Sequence, residues 1–344
     1  MLPAAFPAPR TAPLRGGPIA GWGIIGPGWI AGEWADAVRS NTEQRLVAVG
    51  SSSLDRARAF AAEHGVERAY GDYRALVADP EVDVVYIASR NEAHAEHALL
   101  AIEAGKHVLV EKPLATGAAE ARRIAEAAAA AGVYALEAMW TRFLPQTDVI
   151  LQLVADGVLG ELGMVTAEFS QPFDRAANAR IFAPTVGGGG LLDIGVYPLH
   201  WVRMLLGPGR TEAVVGARTP EGVDARAVIV QAHDGGARSV ASCAIDLDSP
   251  WSTVVSGTRA AIQLPWRFFT PGGFDLIADG ERRSYADPNG LRMHQGLCYE
   301  AAAVAADIEA GRSESALHPL AASIAVLELI DEARRRLGAI TPEP

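Results

Sequence analysis

An apolar run closes on a lysine and a proline in His107-Val108-Leu109-Val110-Glu111-Lys112-Pro113. A lysine at the mouth of a buried strand can exchange a proton with an alcohol or carbonyl oxygen when desolvation or a neighbouring cation favours its neutral form. About eighty residues upstream lies a glycine-rich turn, Gly26-Pro27-Gly28-Trp29-Ile30-Ala31. In such a turn Gly26 permits the tight bend, Gly28 lets backbone approach a pyrophosphate, and Ala31 lets a helix pack closely on a strand. The N–H groups that open the helix, at Trp29 and Ile30, are then available to phosphate oxygens. A proton-transfer group beside a dinucleotide cradle points to a nicotinamide-dependent oxidoreductase.

The cofactor is read from the end of the second strand, where an NAD site usually carries Asp or Glu for the ribose 2′-hydroxyl. This chain has Gly50-Ser51-Ser52-Ser53, with Arg56 one turn on. Hydroxyls of Ser51, Ser52 and Ser53 and the Arg56 guanidinium can hold a 2′-phosphate, and no carboxylate repels it. NADP is therefore expected, with NAD as the alternative. The same serines can also cap the following helix. A second constellation is Asp193, Tyr197 and His200, at i, i+4 and i+7, which puts all three on one helical face. Four glycines, Gly187 to Gly190, precede it and let backbone pass close to a ligand.

These groups need a frame, and the alternation of short apolar runs with helical stretches over residues 19–137 supplies one. Strands are expected at 21–25, 46–50, 84–88, 107–110 and 133–138, with helices at 31–39, 56–64, 92–103 and 118–131. That order implies right-handed crossovers and a doubly wound parallel sheet, a Rossmann domain. Val84-Val85-Tyr86-Ile87-Ala88 lacks polar alternation and suits a strand covered on both faces. After Leu144-Pro145 a helix near 147–156 leads into runs at 164–173, 212–218, 225–233, 239–247, 253–256 and 274–278. Few helices intervene, only one over 191–206 and two at the close, 294–310 and 318–337. The fold class expected is α/β: an N-terminal Rossmann domain plus a C-terminal α/β domain with a large open, mostly antiparallel sheet. The division expected is a flexible proline-rich leader over 1–18, the dinucleotide-binding domain over 19–140, and a substrate-binding and oligomerisation domain over 141–344.

At 344 residues, with 49% hydrophobic and 21% charged residues, the chain can bury two cores and is not a disordered one. A formal charge of −11 argues against a nucleic-acid or anionic-membrane partner. No apolar run approaches the roughly 20 residues of a membrane span. Cys243 and Cys298 form no metal-binding pattern and no disulfide scaffold, so no metal is expected. The leader has no hydrophobic signal core and no paired arginines, and a cytoplasmic location is expected.

The segments 23–31, Ser89-x-Asn91-x-x-His94, Ala104-Gly105-Lys106 running into 107–113, and Gly187 through Asp193 to Tyr197 together resemble the Gfo/Idh/MocA oxidoreductase family. The likeness extends over roughly residues 18–338 in order and spacing, and Glu111-Lys112-Pro113 is its most specific piece. Residues 137–143 and Tyr197 are similar to the branch of dihydrodiol dehydrogenases, NADP-dependent sugar dehydrogenases and glucose–fructose oxidoreductase.

The resemblance implies Lys112 as the proton-transfer group, Glu111 near the nicotinamide ribose and a cis bond before Pro113. It also implies Asn91 at the cofactor through its backbone, His94 beneath the nicotinamide loop, and Arg142 within reach of cofactor or substrate. Many members carry Asp-x-x-x-His where this chain has Asp193-x-x-x-Tyr197. Tyr197 is then expected to donate to the substrate oxygen, and Asp193 to orient Lys112 or bind a substrate hydroxyl. His200 is expected to pack, and Trp266, Arg267 and Phe268 either wall the substrate or belong to the core. The substrate implied is a small sugar, polyol or cyclic trans-diol, and the partner a second copy in a homodimer or homotetramer through the open sheet. Two alternatives of other kinds are an NAD-dependent glycosidase with tightly bound cofactor and a non-catalytic dinucleotide-sensing protein. An intact Lys112 argues against the second.

Overall fold

The computed structural model describes residues 2–341; Met1 and residues 342–344, the outermost parts of the expected leader and second domain, lie outside it. Along the chain run β1 (Gly21–Ile25), α1 (Trp29–Asn41), β2 (Arg45–Gly50), α2 (Leu54–His64), β3 (Arg68–Tyr70) and α3 (Tyr73–Val77). Then come β4 (Val84–Ile87), α4 (His94–Glu103), β5 (His107–Glu111), α5 (Ala118–Ala131) and β6 (Ala135–Ala138). The six strands form one parallel sheet in the order β3-β2-β1-β4-β5-β6. The strand order reverses between β1 and β4, and in such sheets ligands bind outside the carboxyl ends of the strands at the reversal. All residues of β1, β4 and β6 are buried, which is why these segments lack polar alternation. Each large apolar side chain so covered contributes roughly 1.5–3 kcal/mol. On α1, Trp34 packs edge-on to Trp22 at 5.0 Å and stacks on Tyr86 at 4.3 Å, fixing the helix over the sheet centre.

The later elements are α6 (Pro145–Ala155), β7 (Leu162–Ser170), α7 (Val196–Leu206), β8 (Gly209–Arg218), β9 (Asp224–His233), β10 (Arg238–Ala244) and β11 (Thr253–Gly257). They continue with β12 (Ala261–Leu264), β13 (Gly273–Ala278), β14 (Glu281–Ala286), α8 (Cys298–Glu309) and α9 (Leu320–Leu337). Strands β7 to β14 form an eight-stranded sheet in the order β14-β13-β12-β11-β7-β10-β9-β8. Its one parallel pair is β7 with β10; the other neighbours are antiparallel. One face is covered, and α7 packs there against β7 and β10. The opposite face carries Val228 and Val230 of β9, Val240 of β10 and Val254 of β11, all half-buried, beside the exposed Val215 of β8.

Two compact units emerge, and neither is a single stretch of chain. The Rossmann unit comprises residues 11–143 and 292–324; the sheet unit comprises 2–10, 144–291 and 325–341 of the described residues. The expected division at 140/141 lies close to one border but leaves the return of residues 292–324 to the first unit unaccounted for. Residues 2–10, expected to be flexible, are fastened to the sheet unit. Phe6 packs edge-on to Phe274 and Tyr285 at 5.3 and 5.6 Å. The Arg10 backbone N–H and guanidinium both donate to Asp148, at 2.7 and 3.1 Å. Residues 11–18 are tied to the other unit, with Arg15 donating to the Ser40 carbonyl and Gly16 to the Glu43 carboxylate. Cys243 and Cys298 are both buried, and neither is in a disulfide. Among the described residues no helix is long and apolar enough to cross a membrane.

Candidate active site

Gly26 has a φ of 92°, and a Cβ there would lie 2.7 Å from the Ser89 backbone, so only glycine fits the turn. The turn is closed by Gly28 donating to the Gly26 carbonyl at 2.8 Å. At Gly28 a Cβ would meet nothing within 4 Å, so the backbone there is open to an incoming group. Gly28 caps α1 with no side-chain hydrogen bond, and the first turn carries no acidic residue. The N–H groups near Trp29 and Ile30 thus remain available to an anion. Asn91 is 8% exposed, and its Nδ2 is shielded with no hydrogen-bond partner. An open glycine, an uncapped helix start and an unpartnered amide together fit a dinucleotide.

At the end of β2, Arg56 Nη2 donates to Ser51 Oγ at 3.0 Å and Ser52 Oγ at 3.4 Å. Ser53 Oγ accepts from the Arg56 backbone N–H and caps α2, so capping and a guanidinium-hydroxyl cluster coexist. His94 lies between two carbonyls, with Nδ1 2.8 Å from Pro113 O and Nε2 3.1 Å from Ser89 O. Burial lowers its pKa to about 4, so the ring is neutral and donates to one of the two carbonyls at a time. Arg142 Nη2 donates to the Leu317 carbonyl at 2.5 Å.

Lys112 follows β5 at the carboxyl edge of the parallel sheet, and the Lys112–Pro113 peptide is cis. The side chain before it is anchored twice: Tyr86 O–H donates to Glu111 Oε1 at 2.5 Å, and the Lys112 backbone N–H donates to Oε2 at 3.1 Å. Burial pushes the Glu111 carboxyl up, against the pull of the Tyr86 hydroxyl and the Lys112 charge. After the lysine, Leu114 N–H donates to Glu137 Oε1 at 2.9 Å, and Glu137 Oε2 lies 3.1 Å from His318 Nε2. Ser323 Oγ lies 3.1 Å from the same nitrogen. This line of buried polar groups clamps the turn that carries Lys112. Glu137 was visible in the sequence only as part of a family-like segment, and His318 not at all.

Behind Glu111 lies Glu300 of α8, 0% exposed, with no hydrogen-bond partner on either carboxylate oxygen. Burial, reinforced by repulsion from Glu111, raises its carboxyl well above the usual range.

In the sheet unit the expected single helix over 191–206 opens instead as a π turn, Leu191–Gly195, before α7 begins. The wider turn alters the α-helical phase between Asp193 and Tyr197, and such turns recur at functional sites. Gly195 cannot be larger, because a Cβ would lie 2.9 Å from Cys243 Sγ. Asp193 is 9% exposed and accepts from Arg180 Nη2 at 2.8 Å. Tyr197 stacks on Phe269 at 4.6 Å and tilts towards Phe169 at 5.8 Å. Of the three residues expected near the substrate wall, Phe268 is core, packed edge-on to Trp201. Trp266 is exposed, with the Arg267 guanidinium 4.3 Å over its ring. His200 is buried within α7. Arg180, Phe169 and Phe269 escaped sequence reasoning because they lie on separate segments, brought to residues 193–197 by tertiary packing alone.

Each unit matches a family model: residues 20–138 match the oxidoreductase family with NAD-binding Rossmann fold, and residues 149–263 match the GFO/IDH/MocA C-terminal domain. The chain belongs to the Gfo/Idh/MocA oxidoreductases, NAD(P)-dependent enzymes that act on hydroxyl and carbonyl carbons. It is 34% identical over 331 residues to a trans-1,2-dihydrobenzene-1,2-diol dehydrogenase of Mus musculus, covering 94% of this chain and 98% of that one. The Bos taurus enzyme of the same name is 33% identical over 336 residues, with the same coverage. Among solved structures, a 3-ketoreductase from Actinomadura kijaniata in complex with NADP and TDP-benzene superposes with a TM-score of 0.78 at 25% identity, over 92% of this chain and 97% of that one. Levoglucosan dehydrogenase with NADH and levoglucosan shares the fold, with a TM-score of 0.82 at 20% identity over 93% and 97% of the two chains.

Proposed function

We propose that this enzyme moves a hydride between NADP and a secondary alcohol of a sugar, polyol or cyclic trans-diol. The observation that carries the reading is Lys112 at the carboxyl edge of the Rossmann sheet, braced on one side by Glu111 and on the other by Glu137. When bound, the nicotinamide accepts the hydride from the carbinol carbon or returns it to the carbonyl carbon.

Lys112 and Tyr197 are the groups that exchange the hydroxyl proton with the substrate. Loss of O–H and C–H from one carbinol leaves a carbonyl, and the proton goes to protein while the hydride leaves. Asp193 binds a substrate hydroxyl, and Phe269 and Phe169 hold the Tyr197 ring in place. Gly26, Gly28, Trp29 and Ile30 meet the pyrophosphate, Ser89, Asn91, His94 and Glu111 line the nicotinamide ribose side, and Arg142 supports the segment after β6. Arg56 with Ser51 and Ser52 supports NADP over NAD, because a guanidinium on two hydroxyls can receive a 2′-phosphate and no carboxylate opposes it. The half-buried valine face of the large sheet supports a homo-oligomer, since an apolar face of that kind is seldom left to water. Sedimentation as a monomer at micromolar concentration would remove that part of the reading. Two buried cysteines outside any disulfide are compatible with the proposed cytoplasmic location.

The test is absorbance of reduced nicotinamide for wild type and Lys112→Ala, with NADP and NAD, over aldoses, polyols and cyclic trans-diols. Wild type should turn over with NADP preferred, and the variant should lose about 10²–10⁴-fold in kcat, the usual yield of a positioned acid–base group. Equal turnover by the two proteins would reject Lys112. Cofactor retained through purification without net turnover would favour a glycosidase.

A further inference from the structure

Arg180 stands on a single 3₁₀ turn, Ala179–Phe182, that is fastened to the glycine run before Asp193. Gly188 donates its N–H to the Ala183 carbonyl at 3.0 Å, and Gly189 donates to the Ile181 carbonyl at 2.8 Å. A Cβ on Gly188 would lie 2.8 Å from the Arg180 carbonyl and closer still to those of Ile181 and Ala183, so the two backbones touch where only glycine fits. The guanidinium then donates from Nη2 to Asp193 Oδ1 at 2.8 Å. Its Nη1 is shielded from solvent and has no hydrogen-bond partner among the described residues. The side chain as a whole is 37% exposed, so part of the Arg180–Asp193 pair, though not Nη1 itself, meets solvent.

We propose that Arg180 and Asp193 together recognise the second, non-reacting hydroxyl of a vicinal diol. The inference rests on the reading of Asp193 as a substrate-binding residue. A shielded N–H without an acceptor is unfavourable, and the group that completes it must suit a carboxylate alongside. A substrate carboxylate or phosphate would be repelled by Asp193, and an alkyl group would leave Nη1 unpaired. A hydroxyl satisfies both sides: its oxygen accepts from Nη1 while its hydrogen is donated to the Asp193 carboxylate. The guanidinium is a rigid planar fork, so the bond to Asp193 also aims Nη1. Asp193 lies on the π turn that leads directly into the helix carrying Tyr197, so the pair that holds the second hydroxyl and the proposed donor to the first come from one continuous segment.

The experiment compares a diol that turns over with its monodeoxy analogue, for example trans-cyclohexane-1,2-diol with cyclohexanol, or glucose with 2-deoxyglucose. The readout is the ratio of their kcat/KM values in wild type, Arg180→Met and Arg180→Lys, each first shown to bind NADP by fluorescence titration. A site built to hydrogen-bond a hydroxyl rejects the analogue lacking it by about 10⁴-fold. That ratio should hold for wild type, fall to about tenfold or less in Arg180→Met, and recover only in part in Arg180→Lys, which keeps the charge without the fork. Lysine-dependent turnover with an unchanged ratio in Arg180→Met overturns this inference alone. Absence of turnover on every diol overturns it together with the proposed function.

Discussion

In the sheet unit Asp224 and Arg334 are each 1% exposed and lie 3.2 Å apart, with Leu191 N–H on the second Asp224 oxygen at 2.6 Å. In the Rossmann unit Glu300 is as deeply buried, yet neither of its oxygens meets a donor. The first arrangement shapes backbone. A Cβ on Gly189 would lie 2.3 Å from Asp224 Oδ1, and Arg334 also donates to the Gly188 carbonyl, so the ion pair moulds the glycine turn that presents Asp193. The second arrangement shapes nothing visible. A carboxylate buried without partners must take up a proton, and it sits in the field of Glu111, the residue before Lys112. Burial raises both carboxyls, but Asp224 has a counterion that opposes the rise, whereas Glu300, close to Glu111, has none.

The contrast can be broken most readily from the sheet side. Asp224→Asn should strand the Arg334 charge in the interior at a cost of about 3–5 kcal/mol, read as a lower urea midpoint. A loss below about 1 kcal/mol would mean that the pair is hydrated and the turn held by other means.

A smaller change sharpens the contrast from the other side. The Glu300 carboxyl is raised in the folded state, so its contribution is full below its ordinary value of 4.5 and is lost as pH rises through the folded value. Glu300→Gln should abolish that alkaline loss, which amounts to roughly 1.4 kcal/mol for each pH unit within the window. Urea denaturation at pH 5 and pH 8 gives the measurement. Parallel pH profiles for the two proteins would show that Glu300 is charged in the fold, and the distinction between the units would fail.

What could be read without coordinates follows the same line. The Gly26–Ala31 cradle and the Lys112 turn were legible because backbone requirements write them directly into residue type. The parallel sheet was legible because β1, β4 and β5 carry continuous apolar runs. Strand β3, only Arg68–Tyr70, was too short to show a period, and β14 has the charged run Glu-Arg-Arg on an edge that resembles a loop. The π turn at Leu191–Gly195 has no signature in apolar spacing, so a continuous α-helix was the natural expectation. Arg180 and the Phe169–Phe269 pair could not be found at all, because their meaning lies in which distant segment they touch.

The return of residues 292–324 to the Rossmann unit bears on how the protein is made. Tyr134 O–H donates to Asp307 at 2.8 Å, His318 lies 3.1 Å from Glu137, and His294 lies 3.1 Å from Glu33. None of these partners exists when the ribosome has finished residue 143. The nascent dinucleotide-binding half must wait for these later partners of Tyr134 and Glu137 until the whole large sheet has been translated and helix α8 has followed it. A gene fragment that stops after β6 therefore encodes an unfinished fold, and a donor half for chimeric enzymes has to be cut from this chain in two pieces.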